Sequence, residues 1–309
     1  MLITNPLIAN YFQMYLIFDT ETTGLPKNWA APLSDSDNWP RCIQIAWQLH
    51  DAMGNLIDHQ DYLIQPDGFN IPFDAEKVHG ISTELAQKEG IPLAEMIQKF
   101  NQALEKSKYV VGQNVGFDLN IMGAEFYRLG IESPLSSMPV LDTCTEVTAA
   151  LLKLPGGRGG KFKLPTLTEL HQYLFNQPFA EAHNATADVE ATTRCFLELI
   201  KRQVFTKEEL DVPADYFREF NEKNPQTIQL IGLKHINLKE ASDKIRQQFG
   251  DKGHTPISNK TLSDNKELLQ TTDFVHLHNH TQFSVLQSTV AIKDLVAAAV
   301  KNKMPAVAM

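Results

Sequence analysis

The chain has 309 residues, 43% of them hydrophobic and 9% aromatic, enough for about two domains with buried cores, which excludes global disorder. Its 37 acids against 28 lysines and arginines give a formal charge of −9, which argues against a coat for duplex DNA or for an anionic membrane but leaves a local nucleic-acid site open. No run approaches the roughly 18 apolar residues of a membrane span, no secretory signal opens the chain, and Cys42, Cys144 and Cys195 are too scattered for a disulfide framework or a zinc cluster, so a cytoplasmic protein with no membrane partner is expected.

Residues 1–13 carry no clear period and read as an N-terminal extension. YLIFDT, after Met14, is the first strand, and CIQIAWQLH (42–50) and LIDHQDYLIQ (56–65) are two more, joined through the turn formers Asp51, Gly54 and Asn55. Leu93, Met96, Ile97, Phe100 and Leu104 keep helical spacing; YVVG is a short buried strand, 117–129 a helix and PVLDT (139–143) a fifth strand. Helices are predicted at 143–153, 166–175 and 185–202. Five strands with helices between and after them predict a mixed α/β layer fold over 14–203. Residues 204–272 read as a charged helical appendage, with Ala241, Ile245 and Phe249 at a spacing of four, running into a polar linker from 251. A new unit opens at 273 with the strand FVHLHNH, a helix over 291–303 and the buried strand PAVAM, inside which the sequence stops.

Asp19 and Glu21, two apart at the C-terminal end of the first strand, leave the same face, where open α/β sheets keep their sites. Gly24 lets the chain turn beside them. Asp118 opens the helix after the fourth strand, and Asp188 follows His183 by five residues across another helix start. An aspartate at a helix start is also an ordinary capping or dipole choice. Together, however, the four acids stand at strand ends or helix starts of one domain. If they converge, each raises the pKa of the others unless cations compensate. All-oxygen ligands select Mg²⁺ or Mn²⁺, and two such ions about 4 Å apart form a clamp for displacement at a phosphodiester. His183, with an ordinary pKa of about 6.5, suits the base for the attacking water.

At these residues the sequence resembles the DnaQ-like exonucleases of the DEDD superfamily, which remove nucleotides from 3′ ends. DTETTG, IQIAW, VHGI, QNVGFD, LDT and AHNATAD occur in the family's order between residue 14 and about 203. The resemblance implies a ribonuclease H-like sheet, two metal ions held by Asp19, Glu21, Asp118 and Asp188, and His183 as general base, since Asn184 stands where a tyrosine subtype would place its tyrosine. It also implies substrate contacts by Thr22, Leu25, His79 and Phe117. Lys153, Arg158, Lys161 and Lys163 lie in a glycine-rich stretch without an acid (151–168), a cradle for a single strand to which Arg158 and Lys161 would contribute. QYLF (172–175) loosely resembles the peptides by which polymerase components hold a sliding clamp, but Leu174 and Phe175 fit a buried helix face better.

His278 and His280 alternate onto one face of the strand at 274–280, a spacing suited to gripping one metal. Residues 273–309 are similar to the opening of a PHP domain, whose barrel and metal site would be incomplete here. An exonuclease followed by that opening resembles the N-terminal part of the replicative polymerase III alpha subunits that carry their own proofreading exonuclease. The expected activity is metal-dependent 3′ to 5′ hydrolysis of single-stranded or frayed DNA. The alternatives are an RNA exonuclease with the same catalytic set and a non-catalytic module tethering the polymerase.

Overall fold

The computed structural model describes residues 14–177, 184–234 and 236–253, together with 297, 300 and 301. The chain divides into two units, Met1–Arg246 and Gln247–Met309. In the first, strands β1 (Tyr15–Thr22), β2 (Cys42–His50), β3 (Leu56–Leu63), β4 (Tyr109–Gly112) and β5 (Val140–Asp142) form one sheet in the order β3-β2-β1-β4-β5. β1, β2 and β3 are an antiparallel meander, while β4 and β5 run parallel to β1. This is the expected mixed five-stranded, ribonuclease H-like sheet. The β2–β3 turn forms where Asp51, Gly54 and Asn55 predict it: the Asp51 carboxylate accepts from Met53 N and Asn55 N, each at 2.9 Å, and Gly54 takes φ +84°.

The alternation of β1 assigns its residues to two layers. Tyr15 and Ile17 join one core with α6 (Leu167–Phe175) and α7 (Ala185–Lys201). Leu16 and Phe18 join another with α3 (Leu93–Leu104) and α4 (Gly116–Arg128). By the same alternation Asp19 and Glu21 continue the α7 face, and Thr20 and Thr22 the α4 face. β2, covered on both sides, is buried at every residue, whereas the edge strand β3 buries little.

Two short helices of seven residues, α1 (Phe73–His79) and α2 (Thr83–Glu89), occupy the span before α3 for which no element is predicted. Gly80 ends α1 in a left-handed conformation, φ +77°, and the Ser82 hydroxyl caps α2 by accepting from Leu85 N at 3.1 Å. α5 (Glu146–Leu152), predicted over 143–153, starts later, at a Thr145 capping box.

The core continues past residue 203. Phe205, Leu210, Val212, Tyr216, Phe220 and Ile228 are buried in the same core as α7, with α8 (Lys207–Leu210) and α9 (Tyr216–Lys223) as carriers, and the Tyr216 hydroxyl donates to Ala52 O at 2.6 Å. Helix α10 (Leu238–Gly253) uses the predicted positions Ala241 and Ile245 to pack with Ile43, Ile71, Ile81 and Leu85, and its Ser242 hydroxyl donates to Gly80 O at 2.7 Å. These residues are covalently late but structurally central, and the first unit runs on to Arg246. Leu174 of the QYLF peptide is buried in α6 and Phe175 packs on the same core, so its apolar side is already used. Residues 297, 300 and 301 are helical, within the helix predicted over 291–303; the extension 1–13, the linker and the strands at 274–280 and 305–309 lie outside the described residues. The three cysteines are unpaired, and no described helix is long and apolar enough to cross a membrane.

Candidate active site

The end of β1 delivers the acid pair and two helices deliver the rest. α7 starts at Asn184, whose side chain accepts from Thr186 N at 3.1 Å and Ala187 N at 3.4 Å. The cap is therefore Asn184 and not Asp188, which lies within the first turn. One ligand oxygen each from Asp19, Glu21 and Asp188 lies within 4.8 Å of the other two. Asp118 reaches the same place from the opposite layer: its Oδ1 accepts from Thr20 N at 3.0 Å and from the Thr20 hydroxyl at 2.6 Å. The sequence thus brings together all four predicted acids, three as a convergent trio and the fourth moored to the residue between two of them.

The start of α4 is fixed by a residue to which the sequence reading gives no role. The Asp142 carboxylate, at the end of β5, accepts from Asn114 N at 2.8 Å, Val115 N at 3.1 Å and Cys144 N at 2.7 Å, and so holds the turn in which Asn114 takes φ +58°. The α7 start is tied down in a comparable way. Gln44, which pairs in register with Glu21, donates to Asp61 Oδ1 at 2.8 Å, and Thr186 donates to Asp61 Oδ2 at 2.6 Å. Polar residues in an otherwise apolar strand are the signal that marks Gln44 in the sequence.

The electrostatics follow from burial. Asp118 is 5% exposed, and desolvation raises its pKa to about 7 even though the bonds from Thr20 oppose the shift. Burial, then the charges of Asp188 and Asp118, push Glu21 to about 8. Asp19 is raised well above the carboxylate range by burial first and then by Asp118, Asp188 and Glu21. Among the described residues, the charges that shift Asp19 and Glu21 are those of other carboxylates. A converging all-oxygen set with this surplus of negative charge fits hard divalent cations.

The other predicted site residues are placed as follows. Leu25 is 72% exposed just past the turn, in which the Thr22 hydroxyl donates to Gly24 O at 2.7 Å. Phe117, beside Asp118, carries the ring of Trp29 at 5.7 Å between centroids. His79 is buried at the end of α1, its Nδ1 accepting from Ile81 N at 3.0 Å. The basic stretch is partly neutralised from outside its own sequence: Lys161 pairs with Glu146, and Lys163 with Glu169 at 2.6 Å, while Arg158 is exposed with no ion pair among the described residues. His183, His278 and His280 lie outside the described residues.

Residues 16–196 match the sequence model of the family described as Exonuclease, RNase_T, and residues 276–309 match that of the PHP domain. The chain is 29% identical over 237 residues to a PolC-type DNA polymerase III of Streptococcus thermophilus, covering 76% of this chain and 14% of that protein. It is 31% identical over 241 residues to that of Lactococcus lactis subsp. lactis, covering 78% and 13%. The chain therefore spans only about one seventh of the length of the curated relatives it matches. Among solved structures it is similar to E. coli exonuclease I in complex with a dA16 oligonucleotide, at 22% identity and a TM-score of 0.49 over 64% of this chain and 42% of that one.

Proposed function

Because the chain belongs to the exonuclease family, we propose that it hydrolyses phosphodiester bonds from the 3′ end of single-stranded or frayed DNA, as the proofreading part of a replicative polymerase. The observation that carries this reading is the convergence of Asp19, Glu21 and Asp188, beside Asp118, in a buried cluster where, among the described residues, no lysine or arginine is a cause of the shifts of the first two. Such a cluster is unfavourable unless cations enter it.

In this reading Asp19, Glu21, Asp118 and Asp188 hold two Mg²⁺ or Mn²⁺ ions, which when bound supply Lewis-acid stabilisation to the phosphoryl oxygens. Thr20 keeps Asp118 aimed at the cluster, and Asn184, Gln44 and Asp61 hold the start of the helix that carries Asp188. His183, immediately before the cap, takes the proton of the attacking water. Leu25, Phe117 and Thr22 contact the terminal nucleotides, with His79 placing the loop beside them, and Arg158 and Lys161 meet the strand's phosphates. The PHP-matched segment, with His278 and His280 as part of a metal site, marks the join to the polymerase.

The test is incubation of the purified chain with 3′-labelled single-stranded DNA and Mg²⁺, with matched RNA in parallel. Release of mononucleotides from DNA, abolished by Asp19→Ala, is expected. Equal release by that variant removes the enzyme reading, and preferential release from RNA replaces the substrate.

A further inference from the structure

Of the three tryptophans, Trp39 and Trp47 are 3% and 2% exposed, whereas Trp29 leaves 57% of its surface in water. Its exposure does not come from a loose loop. Asn28 N donates to Asn38 Oδ1 at 2.7 Å, Asn38 Nδ2 returns a bond to Asn28 O at 2.9 Å, and Ala30 N donates to Asn28 Oδ1 at 3.0 Å. The residues on both sides of Trp29 are thereby pinned, with Asn38 itself buried. The indole rests on Phe117 at 5.7 Å and a tilt of 50°, so the ring is oriented as well as anchored. Phe117 directly precedes Asp118, and exposed Leu25 lies on the same loop four residues before Trp29. The result is an anchored apolar shelf whose supporting ring, Phe117, is the chain neighbour of Asp118. Lys27, exposed between Leu25 and Trp29 and without an ion pair among the described residues, adds a positive charge at its rim.

We propose that Trp29 is the stacking face for a base of the bound single strand next to the terminal one, which the proposed function gives to Leu25 and Phe117, and so a specificity-determining residue for strands over mononucleosides. The inference rests on the nuclease reading for the identity of the occupant. A nucleobase is the occupant the surroundings select: flat aromatic surface for its face, a cation for the adjoining phosphate, and a phosphodiester site next door. A preorganised ring spares the strand the entropy of ordering it.

Trp29 also reports on itself, because it is the one tryptophan of the three open to solvent. The full chain in EDTA, titrated with oligothymidylate, should show quenching of its intrinsic fluorescence, and an abasic strand of equal length should quench little. Trp29→Ala should weaken binding of the labelled strand, read by anisotropy, by roughly 5- to 150-fold, while Trp29→Phe retains most of the affinity. With Mg²⁺, hydrolysis of the nitrophenyl ester of thymidine 5′-monophosphate, which has no second base, should keep its kcat in Trp29→Ala within about twofold, since no stacking partner is lost. Unchanged strand affinity in Trp29→Ala, equal quenching by the abasic strand, or ester turnover that falls with strand binding each overturns the proposal. So does burial of Trp29 by protein concentration alone, which assigns the shelf to a second copy. Quenching and the Trp29→Ala loss without any hydrolysis by the wild type would sink the nuclease reading and spare this one; hydrolysis without quenching would do the reverse.

Discussion

Two groups of buried carboxylate in this molecule differ in what surrounds them. Glu125, on α4, is fully buried; its side chain accepts from Arg41 Nε at 3.0 Å and from Cys42 N at 2.8 Å, and forms an ion pair with an Arg128 guanidinium nitrogen at 3.1 Å. Arg128 in turn donates to the carbonyls of Ser36 and Trp39. The carboxylates at the end of β1 have one another, and for Asp118 the backbone and hydroxyl of Thr20. The first group is complete with protein atoms alone and ties the loop before β2 to α4. For Asp19 and Glu21 the charges nearby among the described residues are like charges, so the first group reads as structural and the second as the cation-dependent centre of the proposed function.

The largest expected effect comes from emptying the second group. Asp19→Ala should lower release of mononucleotides about a thousandfold, the equivalent of several kcal/mol of lost transition-state stabilisation, without lowering thermal stability in the absence of metal. A variant that unfolds instead would show Asp19 to be structural and erase the contrast. Glu125→Ala should do the opposite, removing about 3–5 kcal/mol of stability because two guanidiniums lose their buried partner. Urea denaturation reads this, and a midpoint within error of the wild type would contradict it.

The same contrast has a pH signature. In the metal-free protein Glu21 and Asp118 are raised to about 8 and about 7, so the folded state holds protons that the unfolded chain releases near pH 4. Stability from protonation of these groups is full below that pH and lost as pH rises through 7 and 8. The melting temperature in EDTA should therefore be lower at pH 8.5 than at pH 5.5, and millimolar Mg²⁺ should raise it more at pH 8.5, where no proton competes. A Mg²⁺ response larger at pH 5.5 would refute the assignment of the cluster as the metal-binding group. The smallest effect is at the helix start. Asn184→Ala should cost about 1 kcal/mol through the lost cap and raise the Mg²⁺ concentration for half-maximal activity, a shift that loss of stability alone would not produce.

The acid pair was legible because a strand's period of two puts Asp19 and Glu21 on one face whatever the rest of the chain does. Asp188 was legible as an acid at a helix start, but only the structure shows that Asn184 takes the capping duty it might otherwise serve. The mooring of Asp118 was not legible, since Thr20 is remote from it in sequence and belongs to the opposite face from Asp19 and Glu21. The same holds for Lys161 and Lys163, whose partners Glu146 and Glu169 stand outside the glycine-rich stretch. Helices α1 and α2 escaped because seven residues make barely two turns, too few for a period to declare itself. The stretch around α9 read as a charged appendage because half of YFREFNEK is charged; its two anchors, Tyr216 and Phe220, are one helical turn apart and both fully buried. A spacing of four in a charged helix is enough to dock it, as Ala241 and Ile245 also show in α10.

The division of the acids between the two layers of β1 makes the centre a coincidence detector for folding. Asp118 arrives with the layer of α3 and α4, and Asp188 with that of α7, which is synthesised long after β1. If the four acids hold the ions as proposed, a nascent chain that has docked only the first layer owns part of a chelate and grips a divalent ion only weakly. Retention of the ion then marks the moment at which both halves have closed on the strand, so that a half-built protein is spared an active nuclease centre.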